Sequence, residues 1–213
     1  STAQTTDLLV THFDYDTMDN IFTNLAVQNG THSLLSNQNG KRLTVQGGAG
    51  DQIIRQTNED FRYNPGHPIS LDLGAILSPE NGVTKEVGLG DDNNGSFIRV
   101  RGDGIYYARR SDASGSVVEE EAHQSKFNGE LFSEEGFYKL DPSGDSIDAR
   151  KIQMIKLGIN WYGAGDTTLF FKLKGQWWRA HTFYAGNTLE EPLYGEPSLP
   201  FRARITNDDG APG

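Results

Sequence analysis

The chain has 213 residues, no cysteine and a formal net charge of -10. An acidic surface of that size repels phosphate backbones, so no nucleic-acid partner is expected, and the absence of thiols excludes disulfides and thiolate catalysis. Hydrophobic residues make up only 35%, yet 11 Phe, 8 Tyr and 3 Trp are enough for one core, because a large aromatic buries roughly 150–250 Å².

In chain order, the opening STAQTTDLLV lacks the basic-then-apolar layout of a signal peptide, and no later run approaches the ~20 apolar residues of a membrane-spanning helix. No membrane insertion is expected. TMDNIFTNLAV places Met18, Ile21, Phe22 and Leu25 at the spacing of a short amphipathic helix. SLLSNQNGKRLTV reads as a hairpin around Asn39-Gly40. QIIRQTNEDFRY, ISLDLGAIL and KEVGLGD follow as strands, and SFIRVRGDGIYYARR as a hairpin turning near Asp103-Gly104. VVEEEAHQ, KIQMIKLGINW, TTLFFKLKGQWWRAHTFY and LPFRARIT complete about ten strands, the number of a two-sheet sandwich. Two stretches interrupt the pattern. Residues 1–43 form an N-terminal extension expected to pack on neighbouring subunits, ahead of a sandwich domain over 44–213, and Ser125–Arg150 is a long polar loop at one edge.

The stretch KLKGQWWRAHTF sets Trp177 and Trp178 side by side among Lys172, Lys174, Arg179 and His181. Side chains alternate faces along a strand. A two-residue turn containing Gly175 therefore puts Trp178, Ala180 and Thr182 with Leu169, Phe171 and Leu173 on a core face. Trp177, Arg179 and His181 then join Lys172 and Lys174 on the opposite face. Two readings of that second face stay open: a platform for a sugar or a protein partner, or an aromatic covering lysine stems. Trp161, before a Gly-rich turn, is expected in the core.

No catalytic residue emerges. The chain has no G-x-S-x-G elbow, P-loop or dinucleotide fingerprint. His12, His32, His67, His123 and His181 lack metal-ligand spacing, so no metal and no cofactor are expected. Glu119-Glu120-Glu121 and Glu134-Glu135 read as solvated surface rather than as the acid pair of a glycosidase, since sequence neighbours point apart. DDNNG and DPSGDSID offer calcium-type oxygens but not the spacing of an EF-hand loop, and read as turns. Arg101-Gly102-Asp103 spells an adhesive tripeptide at a hairpin tip, a three-residue match that recurs by chance.

Several motifs line up in order from Thr44 to Asn207. They are YNPGHPISLDLGAIL, EVGLGDDNNGSFIRVRGDGIYYARRSDASGS, HQSKFNGE, a Gly/Ser/Asp loop, KIQMIKLGINWYGAGDTTLFFKLKGQWWRAHTFYAGN and LPFRARITN. This series resembles a family of virion structural proteins of tailed phages, notably marine ones, and of some large DNA viruses. Tyr162 stands where that family has Leu, and Phe127 where Trp is common. The resemblance implies an all-β, antiparallel two-sheet jelly-roll sandwich of the concanavalin or lectin type. It also implies a non-enzymatic place in the virion, as capsid decoration or knob, or as a tail or fibre component. Expected partners are copies of the same chain, most simply as a trimer, other virion proteins and host surface glycans. The alternative from the residues is a carbohydrate-binding or receptor-binding module, and the candidate contact surface in either case is Trp177, Arg179, His181, Lys172 and Lys174.

Overall fold

The computed structural model describes residues 18–35, 40–64, 67–129, 147–160, 165–196 and 198–209. Thirteen strands are present among them: β1 Phe22–Val27, β2 Thr31–Leu35, β3 Gly40–Thr44, β4 Gln52–Thr57, β5 Ile69–Ala75, β6 Val83–Gly90, β7 Gly95–Arg101, β8 Gly104–Ser111, β9 Val118–His123, β10 Gln153–Ile159, β11 Asp166–Leu173, β12 Gln176–Tyr184 and β13 Phe201–Asn207. A 3₁₀ turn, Gln124–Lys126, follows β9. The chain forms one seven-stranded sheet, ordered β1-β4-β13-β6-β7-β8-β9, and one four-stranded sheet, ordered β12-β11-β10-β5, with β2 and β3 as a separate hairpin. All pairings are antiparallel. The chain crosses between sheets at β5, β6, β10 and β13, and its last strand inserts between β4 and β6. This is the two-sheet sandwich expected from the strand pattern, in the jelly-roll form that the resemblance implies.

Alternation builds the core. Val87, Ile98, Val100, Ile105, Tyr107 and Ala122 from the large sheet meet Ile155, Leu157, Leu169 and Phe171 from the small one. A polar chain runs through this layer: the Tyr107 hydroxyl lies 2.5 Å from Thr167 Oγ1, Thr167 donates to Ser96 Oγ at 2.9 Å, and Ser96 lies 2.5 Å from the Tyr194 hydroxyl. All four side chains are buried, so each hydroxyl needs the others. Between β6 and β7, Gly90 and Gly95 face each other with φ of 152° and 143°. A Cβ on either would come within 2.4 Å of the opposing backbone. In the loop they close, Asp91 Oδ1 accepts the backbone N–H of Asn93 and Asn94, so DDNNG is a carboxylate-capped turn.

Two expectations change. In TMDNIFTNLAV, residues 18–21 form a turn and Phe22–Val27 the edge strand β1, hydrogen-bonded to β4, with Phe22 buried edge-on to Phe201 at 6.0 Å. Here pairing with an available sheet edge outweighs a weak helical period. Within the stretch assigned to the extension, β1 completes the large sheet, and Leu43 of β3 packs with Val45, Ile53, Val83 and Ile205. Residues 1–17 of that extension lie outside the described residues. The hairpin of β2 and β3 is present, but Gly40 already belongs to β3, paired with Leu35, rather than to the turn; residues 36–39 lie outside the described residues. Of the long edge loop, Phe127, Ile147 and Ala149 are anchored in the core, while 130–146, like Trp161 and Tyr162, lie outside the described residues.

Candidate functional site

The β11–β12 turn decides where the two tryptophans go. Leu173 pairs with Gln176, so Lys174 and Gly175 are the two turn residues, with φ of 48° and 85°. This is the geometry of a type I′ hairpin, for which glycine is suited. Phe171 then lies opposite Trp178 and Lys172 opposite Trp177. Trp178 packs on the main core, and its indole N–H is buried with no acceptor among the described residues. Trp177 stands on the outer face with the Lys172 ammonium 5.5 Å from its ring centre and that of Lys156 at 4.5 Å.

The alternation breaks three residues later. Phe170 pairs with Arg179 but Leu169 pairs with His181, leaving Ala180 as the extra residue of a β-bulge. His181 is therefore not on the lysine face, contrary to the parity argument. It is 7% exposed, packed against Phe127, Phe183 and Tyr107 with ring centres 5.4, 4.7 and 6.1 Å away. Burial lowers its pKa to about 4. Thr182, in turn, faces Thr168 across the outer side, hydroxyl to hydroxyl at 3.0 Å. The bulge coincides with a strap after β9. Gly129 N–H donates to Ala180 O, Asn128 bonds both backbone groups of Thr182, and Asn128 N–H donates to His181 Nδ1 at 3.3 Å. Nothing local in HTFY marks that distant segment.

The outer face of the small sheet gathers more than the sequence argument found. Met154 pairs with Lys172 and Lys156 with Phe170, so β10 lays its own alternate residues beside Trp177. Met154 is 43% exposed, Ile152 71% and Ile76 58%. A Cβ on Gly74 would touch Met154 Sδ at 3.7 Å and Ile152 Cδ1 at 3.8 Å, which places these side chains together over a glycine floor. Lys156 also meets Asp72 at 3.3 Å. Arg179 donates to the half-exposed Tyr184 hydroxyl at 3.1 Å, and Lys174 sits in the turn at the rim. The alternation in KIQMIKLG was the signal for Met154 and Lys156. Only the β10–β11 register shows that they flank Trp177.

The large sheet presents a different outer face. Glu86, with a fully buried side chain, takes Arg99 Nη2 at 2.5 Å and Arg204 Nη2 at 2.8 Å, the latter as a charge contact off the hydrogen-bonding direction. Arg99 also binds Glu119 at 2.8 Å, and Glu121; Arg110 binds Glu119 at 2.7 Å, and Arg202 binds Asp92 at 2.5 Å. The acid run 119–121 is exposed, as expected, but it is also ion-paired, with Glu120 on Arg109. Burial alone would raise the Glu119 pKa. Hydrogen bonds and charge from Arg99 and Arg110 outweigh that and hold it at about 2. At the β7–β8 tip, Arg101 lies over the Tyr106 ring and binds Glu121, while Asp103 accepts the Tyr106 hydroxyl at 2.5 Å. The adhesive-type tripeptide thus has both charges engaged. Among the described residues, no group of three His, Cys, Asp or Glu is placed to hold a metal ion.

No protein-family profile matches this chain, and no curated protein does. Solved structures with a similar outline exist. A legume lectin-like domain from Entamoeba histolytica is 12% identical with a TM-score of 0.47, over 96% of this chain and 91% of that one. The potassium-bound carbohydrate recognition domain of Emp46p is 10% identical with a TM-score of 0.46, over 93% and 88%. An endo-β-1,4-glucuronan lyase from the fungus Trichoderma reesei is 13% identical with a TM-score of 0.45, over 91% and 78%. At such identities no residue role transfers to this chain.

Proposed function

We propose that this chain is a non-catalytic structural module of a virus particle, and that it meets its neighbours through the outer face of the four-stranded sheet. One observation carries the surface part of the reading. On a chain of net charge -10, that face collects Lys156 and Lys172 around Trp177, beside exposed Ile76, Ile152 and Met154. A contiguous apolar patch with an aromatic anchor and cations is the chemistry of a contact surface. The viral part rests on the ordered motif series between Thr44 and Asn207. The test is incorporation: particles assembled with Met154→Glu, Trp177→Ala protein lose this chain while its thermal melt stays cooperative. Normal incorporation of that variant overturns the reading.

Glycan binding is the second reading, favoured by Tyr184, whose half-exposed ring carries a hydroxyl held by Arg179. Trp177 suits it less well, because Lys156 already lies over its ring. A glycan array with the chain and its Tyr184→Ala variant decides it: binding lost in the variant supports this reading, and no binding by either removes it.

A further inference from the structure

The chemistry that fits the Trp177 face is apolar side chains for Ile76, Ile152 and Met154, and carboxylates for Lys172 and for Lys156, which Asp72 already meets on one side. The chain itself contains such a segment. Its first 40 residues include neither Lys nor Arg, and within 1–17 Asp7, Asp14 and Asp16 are interleaved with Leu8, Leu9, Val10 and Phe13. We infer that residues 1–17 of one copy dock on the outer face of the four-stranded sheet of a second copy, with carboxylates on Lys156 and Lys172 and apolar side chains on the Met154–Ile152–Ile76 patch. The inference rests on the reading of this face as a contact surface and names its occupant.

Position favours a neighbour, and reach permits one. Seventeen extended residues span roughly 55 Å, several times the ~10 Å between packed sheets. The described chain starts at Met18, beside β1 on the edge of the large sheet, whereas the basic face belongs to the small sheet. An arm leaving one sandwich edge and lying across another copy's opposite sheet joins molecules head to tail, and such a contact closes into a ring when the rotation allows.

The experiment is sedimentation velocity of the full chain at micromolar concentration, in low and high salt. The expected result is an oligomer whose association weakens about tenfold or more as salt rises, since charge pairs at a rim are screened. Lys156→Glu with Lys172→Glu weakens it comparably, as does Asp14→Lys with Asp16→Lys, and combining the four substitutions restores it. Circular dichroism melts confirm that each variant folds. Carbodiimide coupling in a mixture of isotopically labelled and unlabelled protein is expected to join Asp14 or Asp16 of one copy to Lys156 or Lys172 of another. A monomeric wild type, couplings only within one copy, or no restoration by the combined variant overturns the inference. If the face variants dissociate the protein but the arm variants do not, the inference fails while the contact-surface reading survives. If neither set has an effect on association or on particle incorporation, both fail.

Discussion

The two outer faces of the sandwich treat charge in opposite ways. On the large sheet, Glu86, Arg99, Arg110, Glu119 and Arg204 are paired with one another by charge, and the Glu86 side chain has no exposed surface and that of Arg99 only 4%. On the small sheet, Lys156 and Lys172 rest on an indole ring, and apolar side chains beside them stay in water. The first face engages its charges with one another; on the second, Lys156 meets Asp72 and Lys172 lies by the indole ring. Burying an ion network is costly unless every member is paired, so substitutions are expected to cost more on the first face than on the second.

The sharpest way to break that contrast is Glu86→Ala. It leaves Arg99 and Arg204 short of a counter-charge in a buried layer, and urea denaturation is expected to show a loss of about 3–5 kcal/mol. A loss below about 1 kcal/mol would place this network with ordinary surface pairs. Next come the tryptophans. Trp178→Ala empties part of the core and is expected to cost about 3 kcal/mol, while Trp177→Ala costs about 1 kcal/mol or less in the same denaturation series. Equal costs would mean that the lysine face is buried too.

Acid separates two further windows. His181 has a folded pKa depressed by burial, so its neutral form is what the fold accepts. Its contribution is complete above the unfolded value near 6.5 and is lost as pH falls towards about 4, by up to about 3 kcal/mol. His181→Phe should flatten that segment of a stability-versus-pH curve measured by thermal melts. Glu119 acts lower. Its contribution is complete above the unfolded value near 4.5 and disappears as pH drops towards about 2. With a third of its side chain exposed, solvent screening reduces the effect to about 1 kcal/mol, and Glu119→Gln should remove that lower step alone. The smallest expected effect is on the open face. Lys172→Ala should change stability by less than about 0.5 kcal/mol, while association with the partner, read by sedimentation, weakens measurably.

What the sequence determined by itself was local and periodic. Alternation in SFIRVRGDGIYYARR and in KIQMIKLGI set the strands and their inward residues, because side-chain direction in a strand follows from parity alone. Gly175 announced a hairpin whose two registers both put Trp178 inside and Trp177 outside, and the outcome agrees for those two residues. Tertiary structure decided what parity cannot carry. The bulge at Ala180 turns His181 inward where the strap at Asn128 and Gly129 docks. The 119–121 carboxylates became structural because β7 and β8 align Arg99 and Arg110 beneath them. Phe22–Val27 became a strand because β4 offered an edge. Lys156 reached Trp177 only through the β10–β11 register. Each of these depends on a partner tens of residues away in the chain or on a pairing register, and short-range periodicity holds no record of either.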